Sequence, residues 1–276
     1  MDQVIARKGS HGHSTNLVGL PTGLLGSPAF NDLPRPLHIS GVREMNRGLF
    51  QMLGRSDGRH EAADAFSKYM TAMFGIDPEQ RTMVEPAGGI PRPYRASFIR
   101  LLLGWGYDSN SAEGAVLKGW VESRFGLVPT FHREPIRDTD SPAWDAYVDQ
   151  KMASKFHNNS IWAQLDILYE YCQWAITSGT APLGEHITLY RGVNSFEEHQ
   201  IVERLDRRSV VMRFNNLGSF SSDREVADCF GETILTVRVP TVKVLFFNAL
   251  LPLYPLKGEA EYLVIGGDYR VTADKI

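Results

Sequence analysis

The hydrophobic period looks helical from about residue 40 to about residue 180, and beyond Pro182 the sequence changes to β-branched and aromatic runs bounded by turn residues. A helical stretch is therefore predicted to precede a strand-rich one. After Ser56-Asp57, residues Ala62, Phe66, Tyr69, Met70 and Met73 form one stripe that ends near Gly75, which predicts a helix capped by the serine or the aspartate. Further helices are expected over 97–103, 112–125 and 145–156. The clearest runs from Asn159 or Ser160 to Ser178, where Ile161, Leu165, Leu168, Tyr169, Cys172 and Ile176 recur before Gly179.

Beyond Pro182, β-branched and aromatic runs bounded by turn residues predict strands over 187–191, 209–214, 233–239, 242–247, 260–265 and 269–272, with one short helix over 223–230. Residues 1–40 are rich in Gly, Pro, Ser and His and read as an extended arm with some apolar residues packed on the body. The fold class expected is α+β, divided into an arm (1–40), a helical region (41–180) and a strand-rich core (181–276) that forms one compact unit with the helices. A chain of 276 residues can bury a substantial core.

Composition narrows the partners. A formal charge of -3 and a pI near 6.2 give no general attraction to nucleic acid or anionic lipid. Two cysteines, Cys172 and Cys229, lie far apart without metal-ligand spacing, which argues against a disulfide framework and a zinc site. The opening residues lack the apolar core of a signal peptide, and no apolar run is long enough to span a bilayer, so a cytoplasmic setting without membrane insertion is expected. Scattered histidines offer no ligand set, and no metal is expected.

Three short segments of the strand-rich part carry candidate chemistry: Leu189-Tyr190-Arg191-Gly192, Gly218-Ser219-Phe220-Ser221-Ser222 and Lys257-Gly258-Glu259-Ala260-Glu261-Tyr262. On a strand Glu259 and Glu261 face one side, roughly 6 to 7 Å apart along the backbone. Like charges so placed need an opposing partner or a task, and a strand-end arginine can supply a fork that matches carboxylate or phosphate. Alone, each segment has an ordinary explanation: a solvated acidic pair, a surface charge, a serine-rich turn.

Together, in this order, they resemble the Arg-Ser-Glu signature of the ADP-ribosyltransferases related to clostridial binary toxins and vertebrate arginine-specific transferases. Ser219-Phe220-Ser221 also leads to Ala227 and Phe230 at the family's offsets; Phe220 stands where Thr is common, at a position expected to face away from the site. More widely, Asn16-Leu17-Val18-Gly19-Leu20-Pro21, residues 98–106 and residues 120–126 are similar to segments of the bacterial NAD-dependent dinitrogenase-reductase ADP-ribosyltransferases, a likeness covering nearly the whole chain.

The resemblance implies an ADP-ribosyltransferase-type β-sandwich core, NAD as substrate, and transfer of ADP-ribose to an arginine of dinitrogenase reductase, the nitrogenase iron protein, which labelling inactivates. Glu261 would stabilise the oxocarbenium-like transition state and Glu259 would orient and deprotonate the incoming guanidinium. Arg191 would anchor the NAD phosphates, Gly192 admit the nicotinamide amide, Ser219 hold Glu261 or the ribose with support from Ser221, and Phe230 stack on the nicotinamide ring. Simpler readings are a salt bridge from Arg191 to a glutamate, a turn glycine and a core phenylalanine. The proline-bracketed loop 248–258 is the expected acceptor-recognition segment, with Leu253 and Tyr254 as contacts beside Glu259; the alternative is a buried connection. A PII signalling protein is the implied regulator, with any effect of ADP exerted through it. Rival readings are a retaining glycosidase using the Glu pair, which leaves Arg191 and Ser219 unexplained, and a binding module of the same fold without catalysis.

Overall fold

The computed structural model describes residues 12–76, 96–178, 180–181, 183–196, 199–252, 256 and 260–275. Four short helices come first: α1 (Thr22–Leu25), α2 (Pro28–Asp32), α3 (Val42–Met45) and α4 (Arg47–Leu53). Two of them fall within the stretch expected to be an extended arm. Pro28 occupies the first turn of α2 while the Ser27 hydroxyl accepts from the Phe30 N–H at 3.3 Å, a local start signal. Leu25, Phe30, Leu37 and Ile39 are all buried, so this segment is part of the core and not a projection from it.

Next come α5 (Arg59–Phe74), α6 (Phe98–Tyr107), α7 (Ala112–Phe125), a small hairpin of β1 (Phe131–His132) and β2 (Glu134–Pro135), α8 (Pro142–Ala153) and α9 (Asn159–Thr177). Ser97, Ser111, Ser141 and Asn158 cap α6, α7, α8 and α9 through their side chains. The cap expected for α5 is different: Gly58 holds the N-cap position, and the Glu61 carboxylate accepts from the Asp57 N–H at 2.6 Å. That bond ties the residue before the cap to the first turn, and neither Ser56 nor Asp57 caps the helix through its side chain.

The remaining elements are β3 (His186–Val193), β4 (Ile201–Arg204), β5 (Ser209–Ser221), α10 (Arg224–Asp228), β6 (Thr233–Pro240), β7 (Val244–Phe247) and β8 (Glu261–Lys275). They pair antiparallel in the order β4-β5-β3-β6-β8-β7, and an additional β5–β8 ladder closes β5, β3, β6 and β8 into a ring. Two departures from the expected strands share a cause. β5 runs on through Asn215, Asn216 and Gly218 by way of a register shift between Phe214 and Leu217, and β8 stays continuous through Gly266-Gly267 where a break is expected. A side chain at Gly266 would collide with the backbone of Asn215, and Gly267 (φ +114) lies against Gly26, so these glycines permit close approach within a strand instead of ending it.

Alternation splits the strand residues between two cores. Leu189, Val210, Met212, Phe220, Val237 and Val264 fill the ring interior, whereas Leu217, Leu263, Ile265 and all of β7 join the helical core with Phe66, Leu102, Trp120 and Leu168.

Helix α9 is buried nearly all round, and its polar residues tie it to four different elements. Gln164 accepts from the Phe98 N–H at 2.9 Å, and Asp166 accepts from Trp120 Nε1 and from the Arg124 fork. Glu170 accepts from the Ile39 N–H and from Arg43 Nε, both at 2.6 Å, and Gln173 donates to the Thr241 and Val244 carbonyls. Buried polar groups with partners fix orientation as well as proximity.

Candidate active site

Three motif strands lie side by side. Ser221 is registered opposite Tyr190 of β3 on one side and opposite Glu261 of β8 on the other, and Ser219 faces Leu263. Cross-strand partners share a face, so Ser219, Ser221 and Glu261 point toward the helical layer with Leu217 and Leu263. Ser221 is buried; Ser219 and Glu261 are half-buried.

Arg191 sits across the pleat from these serines. Its guanidinium carbon lies 5.6 Å from the centroid of the Phe220 ring, and Nη1 is 3.4 Å from the Ser219 carbonyl oxygen. Phe220 does point away from Ser219 and Ser221, as alternation requires, but its ring floors the arginine, so the residue is not a bystander. Burial pushes the Arg191 pKa below the usual arginine value, yet a guanidinium retains its charge at any working pH. Among the described residues no carboxylate pairs with it. A partly buried cation held by a ring face and one long carbonyl contact has donor capacity left for an anion.

Gly218 creates the space. A Cβ there would lie 2.8 Å from Arg191 Nη1. Gly192 has another reason for its missing side chain: the turn after α10 packs against it, with Phe230 and Gly231 backbone atoms near 3 Å from a Cβ position. The close approach at Gly192 is therefore to the protein's own chain, and it brings that backbone beside Phe230. Phe230 is 69% exposed, which removes the core reading of this ring. Sequence reasoning passed over two neighbours. Trp105 of α6 donates its indole N–H to Ser219 Oγ at 2.9 Å, and buried Lys118 lies 5.9 Å from the Trp105 ring. Burial pulls the Lys118 pKa down to about 7, opposed by Asp108 and reinforced by Arg191. Their only signals were a tryptophan inside an apolar run and a lysine on a wholly buried helix face.

Glu261 lines a cleft of about 440 Å³ with Ser222, Asp223, Val226, Asn248 and Tyr262. A larger cavity of about 760 Å³, lined by His13, Thr22, Trp144, Arg213 and Asp268 among others, contains none of the motif residues. The smaller cleft is the one that adjoins a motif carboxylate, Glu261. Its wall includes the start of the expected acceptor loop, within which a reciprocal pair joins two residues: Asn248 Nδ2 donates to the Leu256 carbonyl and Leu256 N–H to Asn248 Oδ1, both at 3.1 Å. Leu250, Leu251 and Leu256 are buried, so for them the buried-connection reading holds. Leu253, Tyr254 and Glu259 lie outside the described residues. Among the described residues no cluster of His, Cys, Asp or Glu has the makings of a metal site, and no helix is long and apolar enough to cross a membrane.

The strands that carry Arg191, Ser219 and Glu261 lie side by side, with Glu261 alone of the three at the cleft, and this order of motifs is the one expected of the NAD-dependent ADP-ribosyltransferases. The family model for dinitrogenase reductase ADP-ribosyltransferase matches residues 15–273, and the chain belongs to that family. A Rhodospirillum rubrum protein named NAD(+)–dinitrogen-reductase ADP-D-ribosyltransferase is 63% identical over 262 residues, covering 95% of each chain. No solved structure matches the chain.

Proposed function

We propose that the protein transfers ADP-ribose from NAD to an arginine of dinitrogenase reductase, releasing nicotinamide and inactivating the acceptor. The observation that carries this reading is the register of Ser221 between Tyr190 and Glu261, which makes neighbours of three motifs far apart in sequence. Family membership and the Rhodospirillum relative support the acceptor and leave the glycosidase and inactive-module readings without support. The closed ring of strands accords with an ADP-ribosyltransferase-type β-sandwich core. The helical core reaching onto β7 and β8 supports treating the helical region and residues 181–276 as one unit, with Leu25, Phe30, Leu37 and Ile39 of the expected arm packed into it.

In this reading the bond between nicotinamide and ribose C1′ breaks, its electron pair leaving with nicotinamide as positive charge builds on the sugar. Glu261 stabilises that charge and accepts from a ribose hydroxyl. Glu259 orients the acceptor guanidinium and takes the proton it loses as its nitrogen bonds to C1′. Arg191 grips the NAD phosphates, Ser219 and Ser221 hold the glutamate and ribose side, and the Gly192 backbone with the exposed Phe230 ring receives nicotinamide. Leu253 and Tyr254 engage the protein acceptor. A PII protein regulates the enzyme, with any effect of ADP exerted through that partner; pull-down with PII in ADP and in ATP is the corresponding test.

Incubation with labelled NAD and purified dinitrogenase reductase tests the main reading. Stoichiometric label on one acceptor arginine with equal nicotinamide release is expected; an unlabelled acceptor under these conditions overturns it.

A further inference from the structure

We propose that Trp105 is a positioning residue, whose indole N–H holds the Ser219 oxygen as an acceptor and so commits the Ser219 proton to donate into the site. The inference rests on the reading that Ser219 serves NAD chemistry. An indole nitrogen can only donate, so in the 2.9 Å contact the serine oxygen must accept. The backbone of the same residue is also engaged, its carbonyl facing Arg191 Nη1 at 3.4 Å. Ser219 is thus a node between a cation on one face of the strand and an indole on the other, and its hydroxyl proton is the one group left to direct.

The site offers that proton a destination. Ser219 and Glu261 share a face, with Ser219 opposite Leu263, two residues along from Glu261. Diagonal same-face neighbours lie within reach of a long side chain. A serine free to rotate would spend part of its time donating elsewhere; one whose oxygen already accepts from Trp105 has its rotor biased toward a carboxylate or a ribose hydroxyl. Such preorganisation raises the rate of the chemical step more than it tightens substrate binding.

Trp105 is itself well fixed. It is 4% exposed, and Phe98, Leu101, Leu102 and Trp105 form the buried stripe of α6. A buried indole needs an acceptor, so the contact has an ordinary structural explanation: Ser219 satisfies Trp105 and nothing more. The two explanations separate in a double-mutant cycle.

Nicotinamide release from NAD and labelling of dinitrogenase reductase should be measured for Trp105→Phe, Ser219→Ala and the double variant. Trp105→Phe keeps an aromatic ring and removes the donor. It should lower kcat about tenfold while the KM for NAD stays within about twofold. In the Ser219→Ala background it should have no further effect. If Trp105→Phe is as active as the wild type while Ser219→Ala is impaired, or if its penalty persists in full without Ser219, the inference fails and the site reading stands. If Ser219→Ala is itself unimpaired, the site reading fails and takes the inference with it. Should Trp105→Phe not fold, the indole N–H resonance of Trp105 decides. A marked shift on Ser219→Ala supports the bond, and an unmoved resonance overturns it.

Discussion

The Arg191 guanidinium lies over the ring of Phe220, 5.6 Å from its centroid, in space that exists because residue 218 has no side chain. A methyl group at 218 would meet the far end of Arg191 at 2.8 Å and the Phe220 ring only at 3.6 Å. The side chain that must give way is the flexible arginine and not the strand. Gly218→Ala is therefore expected to fold with little loss of stability while displacing the guanidinium, raising the KM for NAD about tenfold or more. Steady-state nicotinamide release, paired with thermal unfolding, checks both halves.

The two glutamates should separate by activity. Glu261→Gln removes the charge beside the ribose and should cost about 10²–10³ in both transfer and NAD hydrolysis. Glu259→Gln should abolish transfer to arginine yet retain slow NAD hydrolysis, because water needs no guanidinium base. Single-turnover assays with and without the protein acceptor distinguish them, and near-normal labelling by Glu261→Gln would refute the assignment.

What the sequence reveals depends on whether the cause is local. The bounds of α7 follow from Ser111 as cap and Gly126 in the left-handed region, both readable in place. β5 looks shorter in sequence because Asn215-Asn216 and Gly218 resemble turn residues. In the fold, Asn215 Oδ1 accepts from the Thr130 N–H, Asn216 Nδ2 donates to the Lys118 and Leu127 carbonyls, and Gly218 makes room for Arg191. The same holds at the candidate site. The order of Arg191, Ser219 and Glu261 is readable as a motif, but the Trp105–Ser219 contact joins positions 114 residues apart and has no local trace.

Asn248 and Leu256 bond each other on either side of Leu253 and Tyr254 in the chain. An aromatic is the side chain most able to anchor a protein partner. Tyr254→Ala should lower kcat/KM for dinitrogenase reductase about tenfold or more and leave acceptor-independent nicotinamide release unchanged. Unchanged labelling kinetics would remove Tyr254 from the recognition surface.

Lys243 should make stability depend on pH in a defined direction. Its side chain is fully buried against the rings of Phe30 and Tyr269, and among the described residues its one hydrogen bond is to the Gly266 carbonyl at 3.3 Å. Burial lowers its pKa from 10.5 to about 7, opposed by Asp268. Between these values the unfolded chain holds a proton on Lys243 that the folded chain does not. Unfolding free energy therefore rises with pH across that window, by up to about 1.4 kcal/mol per unit, and the benefit is lost as pH falls through about 7. Lys243→Met replaces the amine with an apolar chain of similar length and should flatten this dependence, making the variant the more stable of the two near pH 7. Urea unfolding of both proteins at pH 7, 8 and 9 measures the difference directly. A gap that does not narrow as pH rises would mean that Lys243 keeps its charge in the folded protein.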